Sequence, residues 1–232
     1  TEEMTAYWRA MSASYRLGNQ ADFDAAVVGY INVVGGKLSK SEQANVRKFP
    51  LELLYHKSSP FTWAIVFYIM AFLLFVVSLA SSNKRWYFLG IGSLLLGFLP
   101  HALGLIARTF IMARPPVSNL YETFIFVGLM GVILGLFIER NNRQWLGIVT
   151  AAISGAIMLF IANRYSADGD TLTMLIAVLD SNFWLATHVT TITMGYGATC
   201  VAGVLGHVWL IQAALGKPQA MLDKTYKTTM GI

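Results

Sequence analysis

Five apolar stretches, each long enough to form a bilayer-spanning helix, are the feature that most constrains the fold of this chain. They cover residues 61–82, 87–110, 118–138, 144–163 and 183–215. A helix needs roughly 20 apolar residues to cross the hydrocarbon core of a membrane, and it pairs its backbone polar groups internally. Only 12% of the 232 residues are charged, against about 25% in a typical soluble domain. The sequence therefore predicts an all-α polytopic membrane bundle of about five transmembrane helices.

A more polar region precedes the first apolar stretch. Apolar side chains recur there at helical spacing, which predicts a small extramembrane helical region. We therefore divide the chain into an extramembrane region, residues 1–57, and a membrane bundle, residues 58–232. We expect the bundle to be incomplete at its C-terminus, because the chain has the character of a piece of a longer polypeptide.

The connections between the apolar stretches carry the basic residues that predict orientation. Residues 81–86, 139–144 and 216–227 together hold seven of the lysines and arginines, and the positive-inside rule places such connections in the cytoplasm. Residues 1–57 and the loop 164–182 then face the periplasm. The formal charge of +5 follows from this topology, so membrane lipid is the predicted partner and nucleic acid is not.

One histidine lies just inside the outer end of the last apolar stretch. His188 is about five residues into this stretch, roughly 7–8 Å deep on an ideal helix. Trp184 lies one turn before it and Tyr196 two turns after it. An imidazole in this setting could ligate a haem iron while aromatic rings pack on the macrocycle. It could equally be an interfacial histidine within an ordinary aromatic belt.

Two other histidines lie within the apolar stretches. His101 follows Pro100 in the outer half of the second stretch. It could face His188 as a second haem ligand, or bond a backbone carbonyl that Pro100 leaves without its usual donor. His207 is 19 residues beyond His188, about 28 Å along an ideal helix, so these two cannot share one iron.

The stretch "RTFIMARPPVSNLYETFIF" (108–126) contains a helix stop followed by a helix start. Two successive prolines end one helix, and Ser118 or Asn119 can cap the next. Glu122 follows Asn119 at the spacing of a capping box, in which its carboxylate returns a bond to the N–H of the capping residue. Arg114 is close enough in sequence to pair with Glu122. This segment is either a well-built helix start or the rim of a cofactor mouth.

Several other chemistries have no support in the sequence. It contains no CxxC, HExxH, GxxxxGK[ST], GxGxxG or GxSxG pattern, so hydrolase, nucleotide-binding and structural-zinc functions are not indicated. The single cysteine, Cys200, is predicted to be inert packing. "GVILG" (131–135) has the GxxxG spacing of close helix contacts, but the pattern is common by chance and predicts little on its own.

Two of these stretches resemble a known family. "RPPVSNLYETFIFVG" (114–128) resembles the PxSNxYE signature of the CcsA/ResC family, the membrane half of the System II cytochrome c synthase. The matching residues are Pro116, Ser118, Asn119, Tyr121 and Glu122. "LDSNFWLATHVTTITMGYGA" (179–198) resembles the segment of that family that carries an external haem-ligand histidine. The N-terminal lead-in also resembles longer, fused CcsBA-type proteins.

The resemblance implies a function in cytochrome c maturation. The family moves haem b, its substrate, to the outer face of the inner membrane and holds it between axial histidines. It then presents the haem to the CxxCH motif of apocytochrome c, whose thiols add to the haem vinyl groups as in a haem lyase. On this basis His188 is an axial ligand, Trp184 packs on the haem, and a CcsB/ResB-like partner or fused half completes the complex. His101 is not a clean match to any family ligand, and the role of the PxSNxYE signature is undetermined.

The sequence departs from the family in one respect and leaves other functions open. The family's tryptophan-rich WWD motif is absent from these 232 residues, and we expect it and the remaining ligands beyond Ile232. The alternatives are a haem exporter or chaperone without ligation activity, and a transporter or structural membrane subunit without haem.

Overall fold

A computed structural model describes the chain over residues 2–39, 43, 46–81, 83–143, 145–166 and 182–231. Side chains are described over the same ranges except at 182, 184 and 185. Over these residues the regular secondary structure is entirely helical. The helices are α1 Glu2–Leu17, α2 Gln20–Lys37, α3 Phe49–Ser58, α4 Pro60–Ala80, α5 Arg85–Met112, α6 Leu120–Asn142, α7 Leu146–Ser166, α8 Asn182–Ala214 and α9 Gln219–Met230.

The chain divides into two compact units, Thr1–Leu53 and Leu54–Ile232. In the first unit, α1 and α2 form a helical hairpin. Asn19 caps the start of α2 by accepting a hydrogen bond from the backbone N–H of Asp22, which satisfies one of the donors that a helix N-terminus leaves open. The rings of Trp8 and Tyr30 meet edge to face at 5.5 Å across the hairpin.

The second unit carries the membrane helices. The described residues contain five helices long and apolar enough to cross a bilayer, Phe49–Ala80, Arg85–Met112, Leu120–Asn142, Leu146–Ser166 and Ala186–Ala214. The predicted all-α polytopic membrane bundle is therefore confirmed. The division of the chain at residue 57 into extramembrane and membrane regions remains a prediction.

The closest helix contact in the bundle is the seam between α6 and α7. A Cβ atom on Gly135 would lie 2.6 Å from the Cβ of Ala151, and one on Gly131 would lie 2.6 Å from Ser154 Oγ. Both distances are too short for a real side chain, so the two backbones approach this closely only because glycine is present. The GVILG pattern, weak evidence in the sequence, thus lies directly on a tight helix interface.

A buried carboxylate fixes the turn that joins α6 to α7. Glu139 is 3% exposed, and it accepts hydrogen bonds from the backbone N–H groups of Trp145, Gly147 and Ile148 at 3.0–3.3 Å. The hydroxyl of Tyr87 on α5 donates to the same carboxylate at 2.7 Å. Glu139 therefore caps the N-terminus of α7 from the preceding helix, where the helix dipole also favours a negative charge.

Replacing Glu139 by glutamine should destabilise the bundle by about 1.5–3 kcal/mol, the contribution of hydrogen bonds to a charged group. The amide retains one acceptor oxygen but points an NH₂ group at N–H donors. The free energy of unfolding in detergent micelles measures this loss. Arg140→Gln, on the adjacent exposed position, is the matched control and should change stability by less than about 0.5 kcal/mol. Equal stability of the two variants would show that Glu139 is not the cap.

The connections predicted to share one side of the membrane lie at one end of this unit. Tyr87, close to the first connection, contacts Glu139 at the second. Asn142 donates to Thr228 Oγ1 of α9 at 3.3 Å, which brings the C-terminal segment to the same place. Which side of the membrane this end faces remains a prediction from the positive-inside rule.

Candidate functional site

His188 lies near the start of α8, on the face of that helix turned away from its packed neighbour. A Cβ on Gly197 would lie 2.6 Å from the Cβ of Met130, so Gly197 marks the contact with α6. Nine residues separate it from His188, which at about 100° per residue places the imidazole on the opposite face. Its side chain is exposed, and it has no hydrogen-bond partner among the side chains and backbone that the structure describes.

The surface next to His188 is made of small and hydroxylated residues. Thr187 and Thr191 turn their hydroxyls back onto carbonyls of their own helix at 2.8 and 2.7 Å. Gly195 and Gly206 lie within about 20° of His188 around the helix axis. A Cβ on either glycine would meet no described atom within 4 Å. The open face therefore presents one available imidazole above a flat surface, which can accept a broad planar ligand.

Trp184, the predicted haem-packing residue, lies within the helical range of α8. Its side chain lies outside the described residues, so its packing role remains a prediction. Tyr196, the aromatic residue on the other side of His188, is exposed.

The other haem-ligand candidate, His101, is fully buried among α4, α5 and α6. Its Nε2 lies 3.0 Å from the carbonyl oxygen of Ile125 and its Nδ1 lies 2.9 Å from the hydroxyl of Tyr68. Because a carbonyl only accepts, Nε2–H donates to Ile125, and the neutral ring accepts the Tyr68 proton at Nδ1. The bonded carbonyl belongs to α6 and not to the turn before Pro100. Iron ligation by His101 would require one of these two bonds to break.

The PxSNxYE signature surrounds a buried cluster of charges at the junction of α5 and α6. Glu122 Oε1 accepts from the guanidinium groups of Arg108 and Arg114, both at 3.0 Å. Oε2 accepts from the backbone N–H of Ser118 at 3.0 Å and from the Ser118 hydroxyl. The side chains of Glu122, Arg108 and Arg114 are only 3%, 2% and 8% exposed. We call these four residues the Glu122 cluster.

Aromatic residues enclose the arginine at the centre of the cluster. The Arg108 guanidinium lies 4.8 Å from the centroid of the Tyr121 ring, within the range of a cation–π interaction. It also donates to the hydroxyl of Tyr55 at 3.4 Å. The cluster thereby links the helix preceding the first span, the end of α5 and the start of α6.

The local prediction for this segment is right in part. Asn119 is the N-cap of α6, and its side chain accepts from the N–H of Glu122 at 2.8 Å. The pairing of Arg114 with Glu122 is confirmed. The return bond of a capping box is wrong, because the Glu122 carboxylate takes the N–H of Ser118 instead. Pro116 lies in the connection that places Ser118 beneath this carboxylate.

The sequence analysis did not identify Arg108 as a partner of Glu122. A signal was present, since an arginine within an apolar span must be paired or face a polar cavity. The carboxylate has donors on both oxygens and is nearly inaccessible, so the Glu122 cluster is built to hold structure and not to exchange protons with a ligand. Among the described residues, no group of three or more His, Cys, Asp or Glu side chains could hold a metal ion.

The fold and these sites define a polytopic helical membrane protein with an available imidazole at one end of its last described span. Comparison with known proteins gives the family context. The chain is 34% identical over 134 residues to Protein NrfI of Wolinella succinogenes, and 32% identical over 125 residues to the cytochrome c biogenesis protein CcsA of Synechococcus sp. (strain JA-3-3Ab). It is 33% identical over 117 residues to CcsA of Welwitschia mirabilis. These matches confirm the resemblance to the CcsA family.

The similarity covers a limited part of the relatives. It includes 58%, 53% and 50% of this chain, but only 14% of NrfI and 36% and 38% of the two CcsA proteins. No family model matches the chain.

Proposed function

We propose that this chain forms part of a membrane protein of cytochrome c maturation that holds haem at the outer face of the inner membrane and presents it to apocytochrome c. The observation that carries the proposal is the similarity over more than half of the chain to proteins named for cytochrome c biogenesis. The membrane bundle agrees with it, because such a function requires an apolar scaffold around a hydrophobic substrate.

In this proposal His188 donates its free ring nitrogen to the haem iron. Its exposure on an open helix face supports that role, as does the flat surface that continues towards Gly195 and Gly206. A second axial ligand would come from outside the described residues or from a CcsB/ResB-like partner or fused half.

The covalent step adds each cysteine thiol of a CxxCH motif across a haem vinyl group. A C–S bond forms, the thiol proton goes to the other vinyl carbon, and no net oxidation occurs. The contribution of the protein is to hold the two reactants in position, since orientation alone can supply a large share of such a rate enhancement. The Glu122 cluster serves this role indirectly by fixing the start of α6, the helix against which α8 packs.

The test is to purify the chain after expression with abundant haem and to measure its absorption spectrum, followed by incubation with reduced apocytochrome peptide. A Soret band with axial-histidine character, and a peptide carrying covalent haem, would support the full proposal. A Soret band without covalent product would indicate a haem chaperone. No Soret band in well-folded protein would contradict haem handling by this chain.

A further inference from the structure

A cleft of about 720 Å³ lies at the end of the bundle opposite the Glu122 cluster, between α6 and α9. Its lining changes character along α6. Leu134 and Phe137 supply the apolar part, and Asn141 and Asn142 supply the polar part about two turns further on. The distance from 134 to 142 is roughly 12 Å on an ideal helix, so the cleft extends from the hydrocarbon region towards the membrane surface.

Two lysines of α9 stand at the polar end of this cleft. Lys224 donates to the carbonyl of Asn142 at 3.4 Å, and Lys227 is exposed on the next turn. The one acidic lining residue, Asp223, accepts from Gln219 at 2.9 Å. Among the described lining residues the lysines outnumber this carboxylate, so the polar end is net positive.

We propose that this cleft binds one anionic phospholipid of the adjacent leaflet, with its phosphate between Lys224 and Lys227 and its acyl chains against Leu134 and Phe137. Basic pockets between membrane helices at this depth suit such headgroups. Haem shares the combination of an apolar body and anionic groups, but the described lining has no histidine, cysteine, methionine or tyrosine to ligate its iron. The charge and the depth gradient therefore favour a lipid.

The experiment is native mass spectrometry of the purified chain in neutral detergent, titrated with dioctanoyl phosphatidylglycerol. We expect one bound lipid, and an affinity at least tenfold above that for dioctanoyl phosphatidylcholine. The double variant Lys224→Gln/Lys227→Gln should bind phosphatidylglycerol about 25-fold more weakly, because each lysine near an anionic headgroup contributes about fivefold. Lys217→Gln is the matched control, since Lys217 is exposed and outside the cleft lining, and it should bind like wild type.

Three results would overturn the proposal. The first is equal phosphatidylglycerol affinity of the double variant and wild type, with both showing the same unfolding midpoint. The second is binding of glycerol 3-phosphate as tight as that of the lipid, which would indicate a phosphate site without an acyl-chain groove. The third is displacement of the lipid by haemin at equimolar concentration, which would assign the cleft to haem.

Discussion

Replacing His188 by alanine is expected to abolish haem retention by the purified chain. The imidazole is the available ligand atom on the open face of α8, and the neighbouring threonine hydroxyls are already bonded to their own helix. Losing an axial ligand should weaken binding by more than the roughly 10- to 100-fold that loss of an outer partner of a metal ligand costs. The measurement is the Soret absorbance per mole of protein after purification.

Chemical rescue separates ligation from a structural role. Added imidazole should restore the Soret band of His188→Ala, since it can occupy the space that the side chain leaves. His207→Ala is the matched control, because His207 is exposed on the same helix and about 28 Å away along its axis. A spectrum of His188→Ala that equals wild type would show that the iron is held elsewhere, and His101, after rearrangement of its two hydrogen bonds, would be the next residue to test.

The helices of the membrane bundle could be predicted because their signal is local. A run of about 20 apolar residues identifies a span regardless of its neighbours, and the Asn119 cap and the Arg114–Glu122 pair follow from residues only a few positions apart. These features depend on helix spacing and reach, which the sequence displays directly.

The contacts that the sequence did not reveal join residues far apart in the chain. Tyr68 and His101 are 33 residues apart, and Tyr87 and Glu139 are 52 apart. Apolar periodicity does not determine which helix faces meet, so no sequence pattern could pair them. Glu139 is instructive, because it ends an apolar span within a polar connection and there resembles an ordinary solvated residue, yet the fold buries it as the cap of the next helix.

Replacing Glu122 by glutamine is expected to destabilise the bundle by about 3–5 kcal/mol, the range for removing one partner of a buried ion pair. The substitution removes the negative charge that faces Arg108 and Arg114. It also places an amide NH₂ against some of the four donors that converge on the carboxylate. The free energy of unfolding in detergent micelles, followed by loss of helical signal, measures the effect.

The control for this prediction is an exposed glutamate in an ion pair. Glu3 lies 3.5 Å from Lys37, and both side chains are more than half exposed. Glu3→Gln should therefore cost no more than about 1 kcal/mol, as surface pairs do. A Glu122→Gln protein as stable as the Glu3→Gln protein would contradict the structural role of the cluster.

A second comparison distinguishes the charge imbalance from simple loss of contacts. In Arg108→Met/Glu122→Gln the central arginine and its carboxylate partner are both neutral, so the double variant should recover part of the stability lost by Glu122→Gln alone. Recovery of stability without recovery of haem retention would mean that the signature also orients the haem-holding end of the bundle. Recovery of both would limit its role to folding, and would place the chemistry of this chain on α8.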